Sequence, residues 1–238
     1  MHAQGSDIIT MQTFNLPKNA TCLIFDIDST LYTCPEYAHE QIDSQIRHWA
    51  ALNGYSADGA RNMIADFRRK WAADHNGQKI SLGNLFTSFG VSIETSIEWR
   101  KTLFNPADYL HRDERLISSL TELSKKFYMM CVTNNPVEPA RKTLEVIGIS
   151  EFFPEIVGLD TCMASKPSKK ILDKAIEKAN EHFETQGVRA SGEKITYSDC
   201  ISIGDRYDID LALAIELGMG GILVSGAEEV CNLTEILL

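Results

Sequence analysis

Five short apolar runs punctuate an otherwise mixed chain: CLIFDID (22–28), FYMMCVTNN (127–135), EIVGLD (155–160), CISIGD (200–205) and GILVS (221–225). Each is shorter than an ordinary helix, and their β-branched content suits strands buried on both faces of a parallel sheet. Between them, residues 113–126, 136–147, 168–183 and 208–217 carry apolar positions at three- and four-residue spacing. Pro136 and Pro139 fit a first helical turn, and Gly218 marks a stop. Strand alternating with helix predicts an α/β domain around a parallel sheet.

One connection breaks that rhythm. Ninety-eight residues lie between the first run and the second, far more than a crossover needs. The intervening segment predicts four amphipathic helices, over 38–52, 57–73, 81–89 and 93–104, joined at Asn53-Gly54, Asn76-Gly77 and Gly90. Trp49, Trp71 and Trp99 fall on faces suited to burial. The expected division is therefore a core of residues 14–34 with 106–238, and an all-α insert of residues 35–105 that caps one edge of the sheet. The opening MHAQGSDIIT has nothing to tie it down, and order is expected to begin near Phe14 or Thr21.

Composition narrows the class. The 238 residues include 33 acidic and 23 basic side chains, a formal charge of -10. Nucleic acids and anionic membranes are usually met by a basic face, so neither is an expected partner. An anionic substrate stays open, because a carboxylate-bound metal can reverse the local field. The six cysteines show no paired or metal-finger spacing and read as free thiols in a reducing compartment. With no signal peptide and no apolar run long enough to span a bilayer, the expected location is cytoplasmic.

Ligands of open parallel sheets collect beyond the carboxyl ends of the strands. Standing there are Asp26 and Asp28, then Thr133-Asn134, then Asp205 with Asp208 and Asp210, while Lys166 lies in the loop after the third run. Carboxylates converging in a small volume repel, so either they hold protons or a cation binds. Without a Cys or His cluster the cation is a hard one, and a few carboxylates with a phosphate oxygen is the usual setting of Mg²⁺. A lysine and a threonine hydroxyl nearby complete a receptacle for a phosphoryl dianion. A break after Asp26, eased by Ser29-Thr30, would let one acid act as nucleophile and the other as proton carrier.

These segments resemble the four motifs of the haloacid dehalogenase superfamily. Asp26-Ile27-Asp28-Ser29-Thr30 is similar to DxDxT, Thr133 to the second motif, Lys166-Pro167 to the third, and Gly204-Asp205 with Asp210 to GDx₄D. Order and spacing agree over residues 22 to about 225. The resemblance implies a Rossmann-like core with a type-1 helical cap, and FDIDSTLY with the stretch RKWAADHNGQKISLGNLF looks closest to the pyrimidine 5′-nucleotidase-like or phosphoglycolate phosphatase-like branch. It implies that Asp26 forms an aspartyl-phosphate and that Asp28 protonates the leaving oxygen and then activates water. Thr133 and Lys166 would hold the phosphoryl oxygens, with Asn134 adding a backbone N–H. Mg²⁺ would be held by Asp26, the Asp28 carbonyl and Asp205, while Asp210 would orient Lys166 or a metal-bound water. Because dehalogenases lack the second acid, Asp28 favours phosphate esters. The implied protein is a Mg²⁺-dependent phosphomonoesterase, monomeric or homodimeric, for a small organic phosphate such as a nucleoside 5′-monophosphate.

Other readings stand beside this one. A sugar-phosphate mutase similar to β-phosphoglucomutase would use the same site, and a non-enzymatic member would use the fold to bind a partner. Thr133 and Asp205 could cap helices, and Asp208 could be a solvated acid. Tyr37 and His39 suit packing or surface roles, and Arg68-Arg69-Lys70 a charged helix face. Tyr32, Phe86 and the tryptophans could stack a base, although aromatics at helical spacing more often build core.

Overall fold

A computed structural model describes residues 11–77, 80–186 and 194–238. The opening MHAQGSDIIT lies outside them, as do Gln78 and Lys79 of the stretch quoted above. The chain divides into two compact units, one running to Thr33 and resuming at Leu110–Leu238, the other Cys34–Tyr109.

The first unit is built on a six-stranded sheet in the order β1-β6-β5-β2-β3-β4. The strands are β1 (Gln12–Phe14), β2 (Cys22–Phe25), β3 (Tyr128–Val132), β4 (Ile156–Val157), β5 (Cys200–Gly204) and β6 (Gly220–Leu223). All five apolar runs are strands, and their pairings are parallel. The sixth strand, β1, pairs antiparallel with β6 at the sheet's edge. Its three residues carry no apolar run, and only the pairing to β6 reveals it.

Register positions the chemistry. Phe25 at the end of β2 lies opposite Cys131 of β3 and Ile203 of β5. The chain leaves β2 towards β3 and later leaves β5 towards β6, so the strand order reverses between β2 and β5. That is where a crevice opens at the carboxyl ends of such a sheet. Cys22, Ile24, Met130, Val132 and Cys200 pack against Ile171, Leu172, Ala175 and Ala179 of one long helix, Lys169–Gln186. The alternate residues Leu23, Phe25, Met129 and Cys131, equally buried, face the other side by the two-residue strand period.

The helices α1 (Pro35–Leu52), α2 (Ala57–Asp74), α3 (Leu82–Ser88) and α4 (Ile93–Thr102) make the second unit. Ser56, Ser81 and Ser92 each accept a backbone N–H three residues on, at 3.1, 3.2 and 3.1 Å. Such N-caps stabilise a helix by about 1 kcal/mol each. Trp49, Ile64, Leu85 and Phe86 form the core, with Trp71 and Trp99 packed partly buried against it. The unit ends at Tyr109 rather than at 105 because Tyr37 of α1 holds both Phe104 and Tyr109, with ring centroids 6.0 and 5.7 Å away.

In the first unit, α5 (Glu114–Ser124) and α6 (Val137–Ile147) agree with the expected helices to within two residues. Asp113 caps α5 by accepting from the backbone N–H of Arg115 and Leu116, each at 3.0 Å. The stretch expected as one helix over 208–217 is instead a π turn, Tyr207–Leu211, followed by a short α-helix, Ala212–Glu216. None of the six cysteines is joined in a disulfide. Among the described residues no helix is long and apolar enough to cross a membrane.

Candidate active site

Strand β2 stops at Phe25 because the next residues turn. Asp26 still donates its N–H to Ile203 O at 2.8 Å, but Thr30 and Leu31 donate back to Ile27 O at 3.2 and 2.9 Å. Ser29 closes this turn with φ 62, a left-handed conformation unusual for a side-chain-bearing residue. The turn separates two acids that a regular strand would present alike. Asp26 is buried, 3% exposed, while Asp28 is half-buried with different partners.

The Lys166 ammonium meets Asp26 Oδ1 at 2.5 Å and Asp210 Oδ1 at 2.8 Å, and all three side chains are buried. Thr30 Oγ1 lies 3.5 Å from Asp26 Oδ2. Carboxylate oxygens of Asp26, Asp205 and Asp210 fall within 4.8 Å of one another. Asp210 is fixed by accepting the Arg206 N–H at 3.0 Å, and Ser202 Oγ donates to its carbonyl at 2.8 Å. Its approach to the strand depends on Gly204, where a Cβ would lie 2.5 Å from Asp210 Cβ.

Electrostatics at this cluster are unbalanced. Burial pushes the Asp26 carboxyl up to about 7, with Asp210 and Asp28 adding to the rise and Lys166 opposing it. Burial raises Asp205 as well, against the pull of Arg206. For Lys166 burial disfavours the charge, yet Asp26 and Asp210 outweigh it and the ammonium is held more firmly than usual. Four carboxylates meet two cations here, Lys166 and Arg206, whose guanidinium Nε lies 3.6 Å from Asp205 Oδ1 and 3.9 Å from Asp210 Oδ2. A site with more carboxyls than cations is poorly suited to an anionic phosphate unless a further cation joins it.

The residues present fit such an ion. Asp205 Oδ1 is buried and has no hydrogen-bond partner among the described residues; the Arg206 guanidinium faces it from 3.6 Å, too far for a hydrogen bond, so the oxygen keeps capacity for a closer cation. The donors are oxygens, the set that hard divalent cations prefer.

The phosphate-binding candidates sit at the end of β3 and in the Lys166 loop. Thr133 is fully buried; its Oγ1 accepts the Asn135 N–H at 3.1 Å, so it shapes the loop, while Pro136 occupies the N-cap of α6. Asn134 straps the loop of Lys166 through its side chain: Oδ1 accepts the Lys166 N–H at 2.6 Å, and Nδ2 donates to the Lys166 carbonyl at 3.3 Å. Asp28 accepts from Tyr32 OH at 2.6 Å through Oδ1 and from Asn135 Nδ2 at 2.8 Å through Oδ2.

Asp208 and His39 are exposed, and Arg69 pairs with Asp66 on its own helix. Tyr32 is 4% exposed with its hydroxyl committed to Asp28, which leaves its ring no open face for a base. Asn135 and Arg206 carry no signal of a site role in the sequence, and Tyr32 suggests there only a ring that could stack a base, not a hydroxyl partner of Asp28. Each neighbours a motif residue, but which carboxylate it meets is decided only by folding.

Structures of known proteins share this architecture. A haloacid dehalogenase-type phosphatase from Thermococcus onnurineus is 19% identical, with a TM-score of 0.51 over 84% of this chain and 83% of its own. YfnB from Bacillus subtilis, described as a hydrolase of the same superfamily bound to magnesium, is 15% identical, with a TM-score of 0.54 over 92% and 99%. A subfamily IA member from Geobacter sulfurreducens is 14% identical, with a TM-score of 0.51 over 84% and 86%. No curated protein matches the sequence. The family model of haloacid dehalogenase-like hydrolases matches residues 20–218, and the chain belongs to that family of hydrolases.

Proposed function

We propose that this hydrolase cleaves phosphate monoesters through a phosphorylated Asp26. The observation that carries the reading is the buried triad in which Lys166 joins Asp26 to Asp210, set against the buried Asp205 oxygen that accepts no hydrogen bond among the described residues. An attacking carboxylate is in place, a fixed ammonium stands beside it, and the nearby Asp205 oxygen has a guanidinium at 3.6 Å but no hydrogen bond.

Asp26 attacks phosphorus, and the bond to the ester oxygen breaks. Asp28 gives that oxygen a proton, then takes one from the water that hydrolyses the acyl phosphate. Lys166, the Thr133 hydroxyl and the Asn134 backbone N–H bind phosphoryl oxygens, and Asp210 keeps the ammonium in place. Asp26, the Asp28 carbonyl and Asp205 would hold Mg²⁺. Its charge offsets the repulsion between carboxylate and phosphate. The magnesium bound to YfnB supports this choice of ion. A small organic phosphate is the substrate class, and nucleoside 5′-monophosphates are the first members to try.

Phosphate release from p-nitrophenyl phosphate with Mg²⁺ tests the reading. Asp26→Asn should lower turnover by at least about 10⁴-fold while the circular dichroism spectrum is unchanged. EDTA should abolish wild-type turnover. Mg²⁺ should raise the wild-type melting temperature but not that of Asp205→Asn. Turnover by Asp26→Asn near the wild-type level would refute the assignment.

A further inference from the structure

Asp28 has to work twice, as acid and then as base, so its aim matters as much as its presence. It stands on a turn rather than in a strand, where a carboxylate could swing. Both of its oxygens are nevertheless engaged, Oδ1 by the Tyr32 hydroxyl at 2.6 Å and Oδ2 by the Asn135 amide at 2.8 Å. The two donors come from distant parts of the chain. Tyr32 is four residues on, just past the turn, and Asn135 lies 107 residues away in the loop after β3. We propose that Tyr32 and Asn135 are positioning residues that clamp Asp28 for proton transfer to the leaving oxygen, an inference that rests on the acid role proposed above.

The two partners differ in what they can do. An amide N–H only donates, whereas a phenol can donate or accept. Oδ2 is therefore tied to Asn135 throughout. Oδ1 faces a group that can reverse, donating to the carboxylate and accepting from the acid. The acid form presents its hydrogen from Oδ1, beside Tyr32. On transfer, that hydrogen goes to the ester oxygen as the P–O bond breaks, and the Tyr32 hydroxyl turns back to donate to the carboxylate left behind. Tyr32 is buried and directly follows a turn closed by the Ile27 carbonyl, so its hydroxyl has little freedom to be elsewhere.

Leaving-group dependence separates positioning from a general structural effect. p-Nitrophenolate departs without a proton, while the alkoxide of benzyl phosphate needs one. kcat/KM reports the steps up to that departure, so it isolates Asp28 as acid from its later role as base. Tyr32→Phe and Asn135→Ala should each lower kcat/KM for benzyl phosphate by about ten- to a hundredfold, the scale of one hydrogen bond to a charged group. For p-nitrophenyl phosphate the loss should stay below about threefold, because the interaction removed serves a proton transfer that substrate does not need. Asp28→Asn serves as the reference. If Asp28→Asn shows the selective loss and the other two variants lose both substrates equally, the clamp is overturned and the acid role stands. If Asp28→Asn itself loses both equally, the acid role fails and the clamp falls with it. Tyr32→Phe removes one oxygen from a packed ring, so its result can be read even where Asn135→Ala disturbs the loop.

Discussion

Two aspartates in this protein are almost equally buried, and their surroundings drive them in opposite directions. Asp43, on α1 of the helical unit, is 4% exposed. Arg61 grips it with Nε and Nη2 at 2.7 and 2.8 Å, and Arg47 reaches it from one turn along the same helix. Hydrogen bonds from Arg61, against the cost of burial and with help from Arg47, pull its carboxyl down to about 2. Asp26, 3% exposed, has one cation shared with Asp210 and is pushed up to about 7. Burial raises both carboxyls; at Asp43 the hydrogen bonds of two guanidiniums outweigh it, and at Asp26 one shared ammonium does not. Asp43 has donors enough to join two helices. Asp26 is left short of charge, the condition expected where a substrate or ion is to supply the rest.

The sharpest way to break the contrast is to remove the only ammonium. Lys166→Met leaves Asp26 and Asp210 buried without it, and losing one partner of a buried pair typically costs about 3 kcal/mol. Turnover should fall by at least about 100-fold. Urea unfolding and a phosphate-release assay read the two effects, and retained activity would show that Lys166 is only structural.

Asp43→Asn probes the other side, with no expected effect on kcat. The arginines are two-fifths exposed, so solvent screening reduces the effect to about 1 kcal/mol at neutral pH. Because the folded carboxyl titrates below the unfolded value of 3.8, its stabilisation is complete above about pH 4. It is lost as pH falls towards 2. Wild type and variant should therefore differ in urea midpoint at pH 7 and converge in acid; a constant gap would argue against the charge as its source.

The smallest effect concerns the turn that splits the two site acids. Ser29→Gly relieves a left-handed backbone at the cost of extra freedom in the unfolded chain. The net gain should be about 0.5 kcal/mol, seen as a slightly higher melting temperature. A loss would mean that the Ser29 side chain contributes something the backbone angle does not reveal.

Much of this was legible in the sequence because parallel strands buried on both faces must be apolar, and polar residues then mark their ends. Cys22–Phe25 followed by Asp26, and Cys200–Gly204 followed by Asp205, show this directly. The strand β1 was not legible, since Gln12, Thr13 and Phe14 form no pattern and owe their conformation to β6. Nor was the π turn over 207–211, where Arg206 N–H reaches the Asp210 side chain four residues on. Lys166, Asp26 and Asp205 could be named from spacing because each ends or follows a strand. The contact of Asn135 with Asp28 could not, because it joins two loops whose separation depends on the register of β2 with β3.

The Asn134 strap changes what must be rigid for Lys166 to stay in place. By sequence the lysine follows β4, a strand of only two residues at the sheet's margin. Through two hydrogen bonds to Asn134 its backbone is moored instead to the end of β3, beside the central strand. The margin of the sheet can then breathe, and amide protons in β4 can exchange with solvent, without carrying the ammonium away from the carboxylate it serves.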